Sequence, residues 1–131
     1  MSEENVELVH KAVEYWNRGD LDAFMDLFAD DAVLRADENW PERVYYGNDA
    51  LRSFYEGLAE TMGRDAVVED LIDAGDRVVV RARSHWTGEQ SGIETDVQFT
   101  QVLTFRKGKV VLDEYFLDHQ EALEAAGLSD G

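Results

Sequence analysis

The sequence predicts one α+β domain in which helices near the N-terminus pack into a strongly curved, mainly antiparallel sheet. Three observations predict it. Apolar residues in the first half recur at helical spacing, those in the second half alternate with polar ones, and tight turns join the alternating runs. With one proline, Pro41, and no linker, repeat or low-complexity segment, residues 1–131 read as a single domain.

Residues 3–18 form the first expected helix. Val6, Val9, Val13 and Trp16 make one apolar stripe, Ser2 is placed to cap it, and Glu3 and Glu4 suit its positive end. Asn17-Arg18-Gly19 ends it. Asp20 then caps a short second helix whose face is Leu21, Phe24, Met25 and Phe28, with Asp30-Asp31 breaking it. Residues 32–37 read as a short strand, followed by a loop through Trp40, Pro41 and Gly47. A third helix covers about 49–62, with Asn48 as cap, Leu51, Phe54, Tyr55, Leu58 and Met62 at helical spacing, and Gly63 as stop.

Strands follow. Val67 to Asp73 is one, with a turn at Ala74-Gly75-Asp76. Arg77 to Thr87 sets Val78, Val80, Ala82 and Trp86 on one face and Arg81, Arg83 and His85 on the other. After a turn over Gly88 to Gly92, residues 93–106 set Val97, Phe99, Leu103 and Phe105 on one side. Lys107-Gly108 turns the chain into a last strand, Val110 to Leu117, and Glu121 to Ala126 closes it as a short helix. Consecutive strands with tight connections argue for an antiparallel meander. A strongly curved sheet wrapped around the leading helices makes a cone whose open end is a pocket.

Composition narrows the function. Hydrophobic residues make up 44%, including six Phe, five Tyr and three Trp, so the chain can bury a real core. The charge of −17, from 29 acidic and 12 basic residues, repels phosphate backbones and makes nucleic acid an unsuitable partner. Solubility and a high-salt habitat both suit such acidity. No cysteine is present, which excludes disulfides and thiolate metal sites. The acidic start Met1-Ser2-Glu3-Glu4-Asn5 is no signal peptide, and no run reaches the roughly 20 apolar residues of a membrane helix. The expected setting is cytoplasmic, with no membrane partner.

The order and spacing carry a resemblance. Tyr15-Trp16-Asn17-Arg18-Gly19-Asp20-Leu21-Asp22-Ala23-Phe24, then Leu27-Phe28-Ala29-Asp30-Asp31-Ala32-Val33, look like the first-helix exit of SnoaL-like proteins, part of the nuclear transport factor 2-like superfamily. Tyr46-Gly47, Gly75-Asp76-Arg77-Val78-Val79-Val80 and Leu103-Thr104-Phe105-Arg106-Lys107-Gly108-Lys109-Val110 continue the likeness over nearly the whole chain. The resemblance implies a cone-shaped α+β barrel, commonly dimeric, in a family holding ketosteroid isomerases, polyketide cyclases, epoxide hydrolases, dehydratases and non-enzymes, so it does not fix an activity. It also implies where isomerase groups would stand. The base falls at Ala36, with Asp37 one residue on; the first-helix tyrosine falls at or near Ala12; the oxyanion-binding aspartate falls at Gln101. The isomerase set is missing, which argues against steroid isomerisation.

Three residues are candidates for chemistry. Gln101 interrupts the apolar face of Val97, Phe99, Leu103 and Phe105, and bonds either a ligand or a neighbouring strand or water. Asp113 on the last strand is a pocket carboxylate of raised pKa if it faces inward with Tyr115 and Leu117, and a solvated aspartate if it faces out. Asp37, in the loop mouth, is a second possible base. Trp16, Trp40, Tyr46, Phe54, Tyr55, Trp86 and Tyr115 are core residues or the walls of a site for a flat ring, with Leu58, Phe99 and Leu103 as further lining. His85 shares what should be the outer face with Arg81 and Arg83; His119 reads as structural; His10 borders the first stripe. No metal-ligand spacing, phosphate loop or dinucleotide fingerprint occurs, so no cofactor is expected. Two functions follow: cofactor-free cyclase- or isomerase-type proton transfer on a small apolar ring compound, or a non-catalytic binding or dimerisation module. A homodimer is expected through the outer sheet face, where Val79, Val102, Leu112 and Phe116 would otherwise be wet.

Overall fold

The first helix, α1 (Ser2–Arg18), stops where Gly19 turns left-handed at φ 80°, a conformation that costs an L side chain energy. Asp20 then caps α2 (Leu21–Met25), its carboxylate accepting from the Ala23 N–H at 3.1 Å. The computed structural model describes residues 2–38, 42–62, 65–87 and 94–128. After α2 come β1 (Phe28–Arg35), β2 (Val44–Tyr46), α3 (Asn48–Met62), β3 (Ala66–Ala74), β4 (Arg77–Thr87), β5 (Glu94–Arg106), β6 (Lys109–Phe116) and α4 (His119–Ala125). Trp40, Pro41, Gly63 and the Gly88 to Gly92 turn lie outside the described residues, as does the Trp86 side chain.

The expected helices and strands are present with shifted edges. The second helix is shorter than its apolar spacing suggested: Phe28 opens β1, and Asp30-Asp31 lie within that strand rather than breaking a helix. Part of the presumed loop before α3 is β2, a three-residue strand antiparallel to β1. Asn48, expected as the cap, is the first residue of α3 itself. Its amide nitrogen donates at 3.4 Å to the carbonyls of Met25, Phe28 and Ala29, fastening α3 to the α2–β1 junction.

The six strands form one open sheet in the order β2-β1-β6-β5-β4-β3, antiparallel except for the β1–β6 pair. The β5–β6 turn has positive φ at both Lys107 (53°) and Gly108 (76°), the backbone of a two-residue turn whose twist matches the sheet. Register shifts between Val68 and Asp70, between Thr104 and Phe105, and between Phe28 and Val33 are irregularities that bend strands and increase twist. The concave face receives α1, α2 and α3, and the core there includes Val9, Leu34, Leu51, Tyr55, Val78 and Val80. Among the described residues no helix is long and apolar enough to cross a membrane.

The convex face differs from expectation. Helix α4, capped by Asp118, lies on it, so Val79, Val102, Ala122 and Ala126 form a second core with Ile72 and Phe116 against it. Val79 and Val102 are 1% and 0% exposed within one chain, so their dryness does not by itself call for a partner. His119 at the start of α4 meets the Thr100 hydroxyl at 2.9 Å.

Asn17 seats α1 on the sheet. Its side chain donates to the Ala66 carbonyl at 2.9 Å and accepts from the Ala66 N–H at 2.8 Å. Asn17→Ala is expected to cost about 1–2 kcal/mol, read from urea denaturation, because a two-bond clamp is lost at a wet site. No change in midpoint would show that the clamp holds nothing.

Candidate functional site

Between the leading helices and the concave face lies a cavity of about 140 Å3. Strand alternation builds one wall: Val80, Ala82 and Ser84 of β4 face it beside Val97, Phe99, Gln101 and Leu103 of β5. The helices supply Val9, Ala12, Val13 and Trp16 from α1, Phe24 from α2, and Phe54, Tyr55 and Leu58 from α3. Rings crowd this interior without plugging it. The Tyr55 ring packs edge-on to Phe24 at 4.8 Å and Trp16 at 5.6 Å, and Tyr115 packs on Phe99 at 5.6 Å.

A polar cluster stands at one place in these apolar walls. Pairing of β6 with β5 sets Asp113 opposite Leu103 and Tyr115 opposite Gln101, all on the concave face. Asp113 thus points inward, and it is 0% exposed. Its Oδ2 accepts from the Tyr55 hydroxyl and its Oδ1 from the Gln101 amide nitrogen at 2.7 Å. The Gln101 amide also reaches the Tyr55 oxygen at 3.4 Å, and the hydroxyls of Tyr55 and Tyr115 are 2.8 Å apart. No Lys, Arg or His pairs with Asp113 among the described residues. Burial away from water pushes its carboxyl up to about 7, although the bonds from Tyr55 and Gln101 pull the other way. Burial and the adjacent carboxyl raise the Tyr55 and Tyr115 phenols well above their usual range.

Asp113 does not itself border the cavity. Tyr55, Tyr115 and Gln101 do, and two of them hold Asp113, so the carboxyl sits one side-chain layer back. Gln101 bonds a neighbouring strand through Asp113, one of the alternatives its sequence position left open, and it also borders the cavity. Asp37 borders the cavity and is 8% exposed, but its Oδ2 accepts from the Leu117 N–H at 2.9 Å, which ties the loop after β1 to the end of β6.

Most expected lining residues come together: Trp16, Phe54, Tyr55, Leu58, Phe99, Leu103 and Tyr115 all border the cavity. Trp40 and the Trp86 side chain lie outside the described residues. Tyr46 does not join them. It is 74% exposed on β2, the edge strand of the sheet. His85 faces outward and meets Asp96 at 2.8 Å, while Arg83 lies 3.8 Å from Glu69. His10 is exposed rather than bordering the core. Sequence reasoning took Tyr55 for an apolar wall and missed its hydroxyl as the partner of Asp113. The only signal was a polar atom on a buried helix stripe, which must find a partner.

A SnoaL-like domain matches residues 9–112, most of the chain. The chain belongs to the SnoaL-like family. Solved structures agree on the fold. A nuclear transport factor 2-like protein of unknown function from Burkholderia pseudomallei K96243 superposes with a TM-score of 0.78 at 22% identity, covering 95% of this chain and 97% of that one. A protein named as a SnoaL-like polyketide cyclase, from Jannaschia sp. CCS1, gives 0.79 at 24% identity over 100% and 96%. A Catenulispora acidiphila protein of ketosteroid isomerase-like fold, solved with trimethylamine, gives 0.74 at 17% over 93% of each chain. No curated protein matches. Within the SnoaL-like frame, the three positions that the resemblance assigns to isomerase chemistry, Ala12, Ala36 and Gln101, all border the cavity here. Two carry a methyl group and the third an amide, and none can exchange a proton near neutral pH. Among the described residues no group of His, Asp and Glu is placed to hold a metal.

Proposed function

We propose that this SnoaL-like protein binds a small, uncharged ring compound in the cone cavity and moves a proton to or from it without a cofactor. One observation carries the reading: a buried carboxyl with no cationic partner among the described residues, held by Tyr55 and Gln101 at the edge of an apolar cavity. The walls reject charge, since an ion would lose its hydration for almost no polar replacement. The volume of about 140 Å3 suits one ring, because a cavity of roughly 150 Å3 holds benzene. A carboxyl poised near neutrality takes and returns a proton with little cost in either direction.

The test follows the hydrogens beside the carbonyl of cyclohexanone in deuterated water by NMR. The protein is expected to accelerate their exchange, and Asp113→Asn to remove roughly 10²–10⁴-fold of that acceleration, the usual worth of a general base. Equal exchange in both proteins would reject Asp113. A second reading, binding without turnover, is favoured by the layer of side chains between Asp113 and the cavity; bound cyclohexanone with no accelerated exchange would select it.

A further inference from the structure

The hydrogens in the polar cluster can be counted, and the count assigns a role to Tyr115. When Asp113 is ionised, Oδ2 accepts the single Tyr55 hydrogen and Oδ1 accepts from Gln101. Two hydroxyl oxygens 2.8 Å apart share one hydrogen, and that of Tyr55 is already committed. Tyr115 must therefore donate to Tyr55, which leaves its oxygen as an acceptor on a residue that borders the cavity. When Asp113 is neutral, Gln101 still occupies Oδ1, so the acid hydrogen sits on Oδ2 and points at Tyr55. Tyr55 then donates to Tyr115, and Tyr115 turns its own hydrogen to the cavity. Apart from Tyr55, no polar group meets the Tyr115 hydroxyl among the described residues.

We propose that Tyr115 is the residue that touches the ligand, that Tyr55 and Asp113 act on the ligand only through it, and that the cavity takes a neutral cyclic ketone and its enol. The inference rests on the cavity reading above and deepens it. An enol hydroxyl donates to Tyr115 in the ionised state, and a ketone oxygen accepts from Tyr115 in the neutral state. Proton transfer along the chain turns the bound enol into its enolate, whose oxygen then accepts from Tyr115 as the ketone oxygen does. The enol O–H bond breaks as a Tyr115 O–H forms, the original Tyr115 hydrogen passes to Tyr55, and the Tyr55 hydrogen passes to Asp113 Oδ2. Negative charge moves from Asp113 to the ligand oxygen, and no electron leaves the system. Asp113 and Tyr55 are thus positioning residues, and Tyr115 is the catalytic one.

The groups bearing on this chain are few. Helix α3 brings Tyr55, β6 brings Tyr115 and Glu114, β5 brings only the neutral Gln101, and β1 brings Leu34 opposite Asp113. Among the described residues the other ionisable group lining the cavity is Asp37, which is bonded to the Leu117 N–H. Burial sets the Asp113 midpoint near neutrality, and the adjacent Glu114 carboxyl, itself raised by burial, pushes it the same way.

Calorimetric titration between about pH 5.5 and pH 8.5 tests this with three probes. Benzene binds the apolar walls alone, phenol stands in for the enol and stays neutral below its pKa of about 10, and cyclohexanone is the ketone. Phenol affinity should rise, cyclohexanone affinity fall and benzene affinity stay level, each change being roughly tenfold, since a misdirected hydroxyl leaves one hydrogen bond unmade. Tyr115→Phe should bind all three with no pH dependence. Asp113→Asn, whose amide donates as the neutral acid does, should favour cyclohexanone at every pH. Level curves for phenol and cyclohexanone with benzene bound would overturn the relay alone. No binding of benzene would overturn the cavity reading beneath it. The wild-type curves decide the matter even if a variant fails to fold.

Discussion

Asp113→Asn should leave stability almost unchanged near pH 4 and raise it progressively toward pH 8. The carboxyl has a pKa of about 7 when folded, against a reference value of 3.8. Between those values the native state holds a proton that the unfolded chain has released, so stability falls as pH rises and the loss is complete once pH exceeds 7. At about 1.36 kcal/mol per unit, the ionised group costs the fold about 4 kcal/mol at alkaline pH. Asparagine removes that cost. Its oxygen can keep the bond from Gln101 and its amide hydrogens can face Tyr55, as the neutral acid does. Urea denaturation of both proteins at pH 4, 6 and 8 measures the difference, which should grow by about 2–4 kcal/mol across the series, the lower bound allowing for an imperfect amide fit. A difference that stays constant with pH would mean that Asp113 is not buried as described.

Phe24→Ala should destabilise the protein by about 3–5 kcal/mol, the usual cost of emptying a core aromatic site. The ring is 7% exposed and is wedged among Trp16 at 5.4 Å, Phe28 at 5.3 Å and Tyr55 at 4.8 Å. Those neighbours belong to α1, β1 and α3, so few can move to fill the gap without unseating a helix. Phe24 also borders the cavity, so the void should join it. Naphthalene is then expected to raise the melting temperature of the variant more than that of the wild type, because binding to the folded state alone stabilises by mass action. A cost below about 1 kcal/mol would place the ring outside the packed interior.

Element types were legible because they depend on local spacing. The stripe Val6, Val9, Val13 and Trp16 has a period that fits only a helix, and the alternation from Arg77 to Thr87 fits only a strand. Where a local pattern had two readings, pairing with distant residues chose. Phe28 continues the spacing of Leu21, Phe24 and Met25, yet it pairs with Val110 in the sheet. Residues 44–46 are too few to show alternation, and β1 makes them a strand. A short amphipathic helix at the C-terminus does not announce which face of a sheet it covers, and α4 packs on the convex one, over Val79 and Val102.

The candidate site followed the same division. Charge, missing cysteine, aromatic content and the order of helices and strands, together with the family likeness, are properties of the chain in sequence, and they suffice for a SnoaL-like domain built around an apolar interior. The direction of Asp113 is not such a property. Val110, Val111 and Leu112 are all apolar, so the alternation just before Asp113 has no phase of its own. The phase comes from pairing with β5, where Phe105 meets Val110 and Thr104 meets Leu112, leaving Val111 as the extra residue. Only after that shift does the carboxyl turn inward to meet Tyr55, 58 residues earlier in the chain.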